Sequence, residues 1–229
     1  MTARKGVELP SHGEYEEALD KAWEELSGLN PARIASNACA EYDRDRRLLR
    51  LPLLNAKVSV DIENRTILDE SGQALRSYQA ILVLHYLLGA KPFGPSGNWL
   101  TFRELDSGKF YYSAYEQRSI GRIVETFGAE SASLLKAAVA LGGETIDMGD
   151  AGVRFDVFPK LPVAVLVWEG DAELSPSANI LFDGSAGSVL TTEDLVVVAG
   201  FVADRLVKQA RALSAGGLDR ERGLVLKWC

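Results

Sequence analysis

The chain has 229 residues, of which 47% are hydrophobic and 25% are charged, and its net charge is −7. These proportions exclude a disordered chain, and the length is sufficient to bury about 70% of the unfolded surface in one core. A general nucleic-acid binder needs a basic stripe that neutralises phosphates, so the acidic balance argues against that class. The longest apolar stretches, 80–88 and 195–202, are far shorter than the ~20 residues that cross a bilayer, so we expect no membrane segment.

Cysteine usage predicts a cytoplasmic protein. Cys39 and Cys229 are the only cysteines, whereas a secreted scaffold of this kind carries more of them, in even sets at regular spacing. We therefore expect two reduced thiols, with Cys229 exposed at the chain end.

The first third of the chain predicts two helices and a small antiparallel meander. Residues 1–13 have the composition of a flexible leader, and helical apolar spacing follows over 14–26. Asn30-Pro31 is a strong N-cap signal for a helix over 32–40. The basic run 44–50 contains acidic residues and leads into an apolar segment, as in a charged turn before a strand. Extended runs are then predicted at 47–51, 57–62 and 66–68.

The rest of the chain separates helical from extended segments. The helix predicted over 73–88 is apolar on most sides and should be buried. An irregular loop spans 92–98, and residues 99–104 are ambiguous. The remaining predicted helices are 111–127, 130–141 and 192–213, and the remaining predicted strands are 144–148, 153–158, 163–168 and 179–182.

This segregation predicts an α+β fold with mainly antiparallel short strands packed against about six helices. Residues 14–213 form a single predicted domain, since no long linker interrupts them, and residues 214–229 read as a C-terminal tail. The sequence does not determine the oligomeric state.

The chemical motifs of common enzyme classes are absent from the sequence. There is no phosphate-binding P-loop, dinucleotide-binding glycine motif, nucleophile elbow or Cys-x-x-Cys pair. With His12 and His85 as the only histidines, we expect neither zinc nor an iron–sulfur cluster, because the chain lacks four suitable ligands. A tetrapyrrole needs one axial ligand only, so the sequence leaves that cofactor open.

His85 is the only histidine inside a predicted helix. Its apolar surroundings favour a neutral core histidine, with Trp168 at the edge of the same core. The alternatives are a pH-tuned acid or base, or an axial ligand to a metal cofactor. Nothing in the neighbouring sequence decides between these roles.

The loop 92–98 could present backbone N–H groups to an anion, but its two prolines lack that donor, which favours a plain connector.

Arg103 lies between apolar residues just after Trp99. A guanidinium in that setting either pairs with a local carboxylate or reaches an anionic ligand, and the structural pairing is favoured.

An acidic segment follows the predicted strand 163–168. Glu169, Asp171 and Glu173 alternate, so on an extended chain they share one side at spacings of about 7 Å. Crowded carboxylates raise one another's pKa or bind a cation. The favoured interpretation is a solvated acidic hairpin, and a divalent cation, a ligand or acid–base catalysis are the alternatives.

The chain then turns at Ser175-Pro176 and returns to Asp183. We expect Asp183 to meet the other three carboxylates at one rim of a cleft, with Arg103 or Arg118 facing them.

These segments resemble the DUF3786 family of uncharacterised prokaryotic proteins. The resemblance is carried by residues 168–176 (WEGDAELSP) and 180–183 (ILFD), by 84–88 (LHYLL) and 99–105 (WLTFREL), and by Tyr112, Tyr115 and Arg118. It extends over roughly residues 14–213. Ala172 and Leu174 stand where the family usually has an acid and a phenylalanine, so the acidic cluster is thinner here. The resemblance implies no activity, and the cysteine-rich segment of some relatives is absent.

Two functions are therefore predicted. The first is a small-molecule or cofactor-binding accessory protein with a pocket near the acidic hairpin, and the second is a hydrolase or lyase using paired carboxylates as acid and base. Whether the protein is an enzyme stays open. The candidate ligand-binding residues are Glu169, Asp171, Glu173, Asp183, His85, Trp99, Arg103, Arg118 and Trp168.

Overall fold

Two antiparallel sheets and a set of helices make up residues 12–225, the part of the chain that the computed structural model describes; side chains are described for residues 16–215. The helices are α1 (His12–Ser27), α2 (Pro31–Ala38), α3 (Ser77–Gly89), α4 (Gly108–Tyr115), α5 (Gly121–Phe127), α6 (Ala132–Ala140), α7 (Ala186–Val189) and α8 (Thr192–Val225). The strands are β1 (Glu41–Asp43), β2 (Leu48–Leu53), β3 (Ala56–Asp61), β4 (Thr66–Asp69), β5 (Trp99–Thr101), β6 (Glu144–Ile146), β7 (Ala151–Phe158), β8 (Leu161–Trp168) and β9 (Ser177–Asp183). The predicted α+β class with antiparallel strands is confirmed.

The N-terminal helices begin where local signals predict. In α2, the Asn30 side chain accepts from the backbone N–H groups of Ala32 and Arg33, and Pro31 occupies the first helical position. That position needs no N–H donor, so proline is favourable there. The predicted leader 1–13 falls almost entirely outside the described residues.

The first sheet has the order β1-β2-β3-β4, an antiparallel meander as predicted. Val58 and Val60 in β3 are buried, whereas Ser59 and Asp61, which alternate with them, are partly exposed. The turn after β3 is held by Asp61, whose carboxylate accepts from the backbone of Glu63 and Asn64. Strand β1 was not predicted, because three residues carry too little alternation to be recognised.

The second sheet has the order β5-β9-β8-β7-β6 and is antiparallel throughout. Every residue of β8 except the last, Trp168, is buried. A continuous apolar run is typical of a central strand covered on both faces. The two sheets join where the Leu54 N–H donates to the Val157 carbonyl at 2.8 Å, and one hydrophobic core extends from α1 to α8.

Two helices differ in extent from the prediction. Helix α3 begins at Ser77 rather than residue 73, because Ala74 bridges to Leu68 of β4. Helix α8 continues to Val225, through the glycine pair 216–217 that was expected to end the predicted helix 192–213. A glycine weakens a helix by about 1 kcal/mol relative to alanine but leaves its backbone hydrogen bonds intact. Residues 226–229, including Cys229, lie outside the described residues.

Helices α4 and α5 form one continuous helix interrupted by a π-helical turn, Glu116–Ile120. A π turn inserts an extra residue and displaces the side chains around it from their regular helical positions. The sequence predicted one uniform helix here.

Across the described residues, no helix combines the length and apolarity that a membrane crossing needs.

Tyr115 completes the hydrogen bonding at one edge of the second sheet. Strand β5 pairs only with residues 181–183 of β9, which leaves the β9 edge at Ile180 without a neighbouring strand. The buried Tyr115 hydroxyl accepts from the Ile180 N–H at 3.0 Å and lies 3.1 Å from the Ile180 carbonyl and 3.2 Å from Asn179 Oδ1. Burial raises the pKa of this phenol well above its usual value, so the hydroxyl stays a donor.

Replacing Tyr115 by phenylalanine should lower the free energy of unfolding by about 1–3 kcal/mol, since it leaves buried backbone groups of Ile180 without a partner. The matched control is Tyr111→Phe, because the Tyr111 hydroxyl makes no hydrogen bond within residues 16–215 and its removal should change stability by less than about 0.5 kcal/mol. Urea unfolding of both variants measures the difference. Equal stabilities would contradict the role assigned to the hydroxyl.

Candidate functional site

Asp183 holds the loop 92–98 against the second sheet. Its carboxylate accepts from the backbone N–H groups of Ser96, Gly97 and Ser185 and from both serine hydroxyls. Burial raises the pKa of Asp183, but these hydrogen bonds outweigh burial and lower it to about 2. The loop therefore does bind an anion with its N–H groups, and that anion is a carboxylate of the protein itself.

The predicted convergence of four carboxylates is wrong. In the β8–β9 hairpin, Trp168 pairs with Ser177 at one end and Val163 pairs with Phe182 at the other. Asp183 is therefore separated from Glu169 by the length of the hairpin, about 20 Å at the usual rise per residue. The prediction assumed that the turn at Pro176 would bring Asp183 back, but a full antiparallel strand lies between them.

The remaining acids of the hairpin hold local backbone. Glu169 accepts from the Ser131 N–H just before α6. Hydrogen bonding by the Ser131 side chain, followed by that of its N–H, lowers the pKa of Glu169. Asp171 accepts from the N–H groups of Glu173 and Leu174 in its own turn, which also lowers its pKa. Glu173 is exposed. Among the described residues, no three His, Cys, Asp or Glu side chains lie close enough together to hold a metal ion.

The two candidate arginines lie on elements other than the acidic hairpin. The Arg103 guanidinium stacks 3.8 Å above the centre of the Tyr112 ring, so its partner is aromatic rather than the predicted carboxylate. Arg118 lies on the π turn and faces Gly200 of α8.

The two candidate tryptophans belong to different parts of the second sheet. Trp99 is half-buried and packs on a small cluster formed by Ala164, Leu166 and Leu181. Trp168 is 38% exposed at the end of β8. Trp99 and Trp168 lie on β5 and β8 of the second sheet, whereas His85 lies on α3.

His85 forms the one imidazole–carboxylate pair within the described residues. Its Nδ1 lies 2.8 Å from Asp194 Oδ1, and Asp194 also accepts from the Thr191 hydroxyl and N–H at the start of α8. Burial would lower the pKa of His85, but Asp194, with smaller contributions from Glu25 and Glu193, raises it above its ordinary value. The helix of His85 is mostly buried, as expected. The pair ties α3 to the first turn of α8.

A cleft with polar and apolar walls opens at another place, between the start of α3, the π turn and the middle of α8. We call it the arginine pocket. It has a volume of about 470 Å³ and is lined by Arg76, Tyr78, Gln117, Arg118, Arg122, Val196, Val197, Gly200, Phe201 and Asp204. Clefts of 300–1,000 Å³ with an apolar floor and a few polar groups are the usual sites for small molecules.

The charge of the arginine pocket is positive. Three arginines line it against one carboxylate, Asp204. Asp204 is bound to Arg122 at 3.0 Å and also to Lys208 at 2.6 Å. Burial raises the pKa of Asp204, but these two cations outweigh burial and lower it. Because Lys208 shares Asp204, the described residues that line the pocket carry more positive than negative charge, in a protein whose net charge is −7.

Sequence reasoning identified only Arg118 among the residues of this pocket. The sequence contains signals for two further residues of the pocket, Arg122 and Gly200. Arg118 and Arg122 are four residues apart, a spacing that places side chains on the same helix face. Gly200 interrupts an apolar helical run, which is costly unless the glycine has a structural or functional role. Arg76 and Tyr78 carried no signal, since their place in the pocket depends on how α3 meets α8.

The fold and the site thus define the class of protein to which this chain belongs, an α+β protein with an arginine-lined cleft. Residues 30–205 match the family described as "Domain of unknown function (DUF3786)", and the chain belongs to this family, as the sequence predicted. No curated protein and no solved structure gave a significant match.

Asp183→Asn should lower the free energy of unfolding by about 2 kcal/mol near pH 7, because an ionised group with a lowered pKa stabilises the fold. That contribution is present above the unfolded pKa, near 4, and is lost as the pH falls through about 2. The loss should therefore be clearly smaller at pH 3 than at pH 6. The exposed Asp45→Asn is the control. If Asp183→Asn lost no more stability than this control at either pH, the role of Asp183 in holding the loop 92–98 would be contradicted.

His85→Gln should cost most stability at acidic pH. A histidine whose folded pKa is raised stabilises the fold fully below its unfolded pKa, near 6.5, and loses that contribution as the pH rises through the folded pKa. The difference in unfolding free energy between wild type and variant should thus be larger at pH 5.5 than at pH 8.5. In NMR titrations, Asp194→Asn should lower the pKa of His85. A pKa that stays unchanged in that variant would rule out the pairing as the cause.

Proposed function

We propose that this protein binds a small molecule in the arginine pocket and that the ligand carries an anionic group. The observation that carries the proposal is the pocket itself, which places three arginines over an apolar floor between α3, the π turn and α8. Guanidinium groups bind carboxylates and phosphates through paired N–H donors. The apolar floor supplies burial for the remainder of the ligand.

Unused hydrogen-bonding groups support this assignment. Arg76 precedes α3, and its side chain does not cap the helix. Within residues 16–215, the Arg76 guanidinium, the Tyr78 hydroxyl and the Gln117 amide make no hydrogen bond or ion pair with the protein. Tyr78 is half-buried, and Arg76 and Gln117 are exposed at the mouth of the cleft. Polar groups that line a cleft and lack protein partners are available to a ligand.

Electrostatics favours an anion over a cation or a neutral ligand. A full charge interacts with a partner 4 Å away by about 4 kcal/mol at a dielectric constant typical of a protein surface. The net negative charge of the protein repels anions in general, so the local positive charge of the pocket provides selectivity for this place on the molecule. The acidic hairpin contributes no residue to the lining of the pocket. Of the ligand-binding residues predicted from the sequence, Arg118 is the one that lines it.

A hydrolase or lyase that uses paired carboxylates has less support. Glu169, Asp171 and Asp183 each accept from backbone N–H groups of the protein. A carboxylate that is engaged in this way is less available as a general acid or base. An accessory or binding role needs no such pair. It requires only a cleft with matching charge and shape, and the arginine pocket supplies both.

The test is binding of small anions by isothermal titration calorimetry and thermal shift, using inorganic phosphate, phenyl phosphate and benzoate at low ionic strength. At least one should bind, and added salt should weaken the binding. Arg76→Gln should reduce the affinity roughly tenfold or more, since a hydrogen bond to a charged group contributes about 1.5–3 kcal/mol.

The control variant is Arg44→Gln, which removes the same charge from an exposed turn away from the pocket. Its affinity should stay within twofold of wild type. Absence of binding by all three anions, or equal losses in the two variants, would overturn the proposal.

A further inference from the structure

We infer that the ligand of the arginine pocket is a ring-bearing anion, an aromatic carboxylate or phosphate whose flat ring lies over Gly200 between Tyr78 and Phe201. This inference rests on the proposed function and specifies the chemical class of the ligand. The packing of the protein does not require glycine at position 200.

Gly200 lies in the interior of α8, with apolar residues on both sides. A Cβ atom built at this position meets only the Cβ and carbonyl oxygen of Arg118, at 3.7 and 3.9 Å. These are ordinary van der Waals distances, so the fold has room for alanine. Glycine inside a helix costs about 1 kcal/mol relative to alanine. The chain therefore keeps a less stable residue where a more stable one would fit.

Two other helical glycines, Gly89 and Gly108, have a clear packing role, whereas Gly121 and Gly187 share with Gly200 the room for a Cβ atom. A Cβ at Gly89 would lie 1.8 Å from the Val189 carbonyl oxygen, and one at Gly108 would lie 1.9 Å from that of Phe102. Side chains at those positions are impossible without moving the backbone. Gly200 has no such neighbour, and it faces the arginine pocket. The space above its Cα is thus part of the pocket rather than of the core.

The opposite wall carries a second costly irregularity. The π turn Glu116–Ile120 contributes Gln117 and Arg118 to the pocket. π turns are rare because their backbone geometry is poorer than that of an α-helix, and they are frequent at functional sites. The glycine and the π turn face each other, since Arg118 is the residue nearest to Gly200. Both irregularities coincide with a single cleft.

The chemistry of the walls favours an aromatic ring over an aliphatic chain. Tyr78 is half-buried and offers an aromatic surface, and Phe201, which is 4% exposed, adds a small one. Guanidinium planes stack on aromatic faces as well as binding anions. A flat ring can lie on the methyl-free backbone at Gly200 with Val196 and Val197 beside it. Aromatic contacts contribute about 0.5–1.5 kcal/mol beyond the area that they bury.

The experiment compares four probes on wild type and on Gly200→Ala by titration calorimetry: phenyl phosphate, benzoate, butyl phosphate and inorganic phosphate. Wild type should bind phenyl phosphate or benzoate at least tenfold more tightly than butyl phosphate and inorganic phosphate. Gly200→Ala should weaken the ring-bearing probes at least tenfold and change inorganic phosphate less than twofold. Its melting temperature should equal or exceed that of wild type.

Gly187→Ala is the matched control, because a Cβ there meets nothing within 4 Å and the position lies outside the pocket. A second variant, Tyr78→Leu, keeps an apolar side chain and removes the ring, and it should also reduce the preference for ring-bearing probes. Arginine-dependent binding of phosphate without a preference for the ring, or with Gly200→Ala unchanged, would overturn this inference and leave the proposed function standing. Failure of every anion to bind in an arginine-dependent way would overturn both.

Discussion

Burial of the first half of α8 is the constraint on which the rest of the structure depends. Its residues Leu195, Val198, Ala199, Ala203 and Leu206 are fully buried, and α3, α4, the π turn, α5 and α6 all pack against this helix. Each of these helices also contacts a sheet or another helix of the core, so the position of α8 determines how they meet. Fully burying one large aliphatic side chain contributes about 1.5–3 kcal/mol. The burial of several such side chains in α8 stabilises the fold enough to offset the cost of the local irregularities around the arginine pocket.

Polar residues in the core serve the backbone around this apolar framework. Asp183 binds the N–H groups of a loop, Tyr115 substitutes for a missing strand at Ile180, and Asp194 binds both the start of α8 and His85. Buried polar groups need such partners, because an unsatisfied one costs about 1–3 kcal/mol. Residues that look functional in the sequence can therefore be structural, since the requirement to satisfy buried donors selects the same residue types as catalysis does.

The arginine pocket differs from these sites because some of its polar groups are not used by the fold. Arg76, Tyr78 and Gln117 line it without protein partners in the described part of the chain, and Gly200 leaves room that a methyl group could fill without a clash. These features cost stability or add nothing to it. Natural chains depart from local stability rules mostly at functional sites, which is the physical reason for placing the function here and not at the acidic hairpin.

Local sequence patterns determined most of the helices and strands of this protein, because apolar periodicity, the Asn30-Pro31 cap and glycine-rich turns act within a few residues. They also predicted the antiparallel α+β class and the family. The tertiary structure alone decided which residues meet. Strand register separated Asp183 from Glu169, and the crossing of α3, the π turn and α8 assembled a pocket from Arg76, Arg118 and Gly200. No local pattern encodes such a meeting, since it depends on how buried surfaces far apart in the chain pack together.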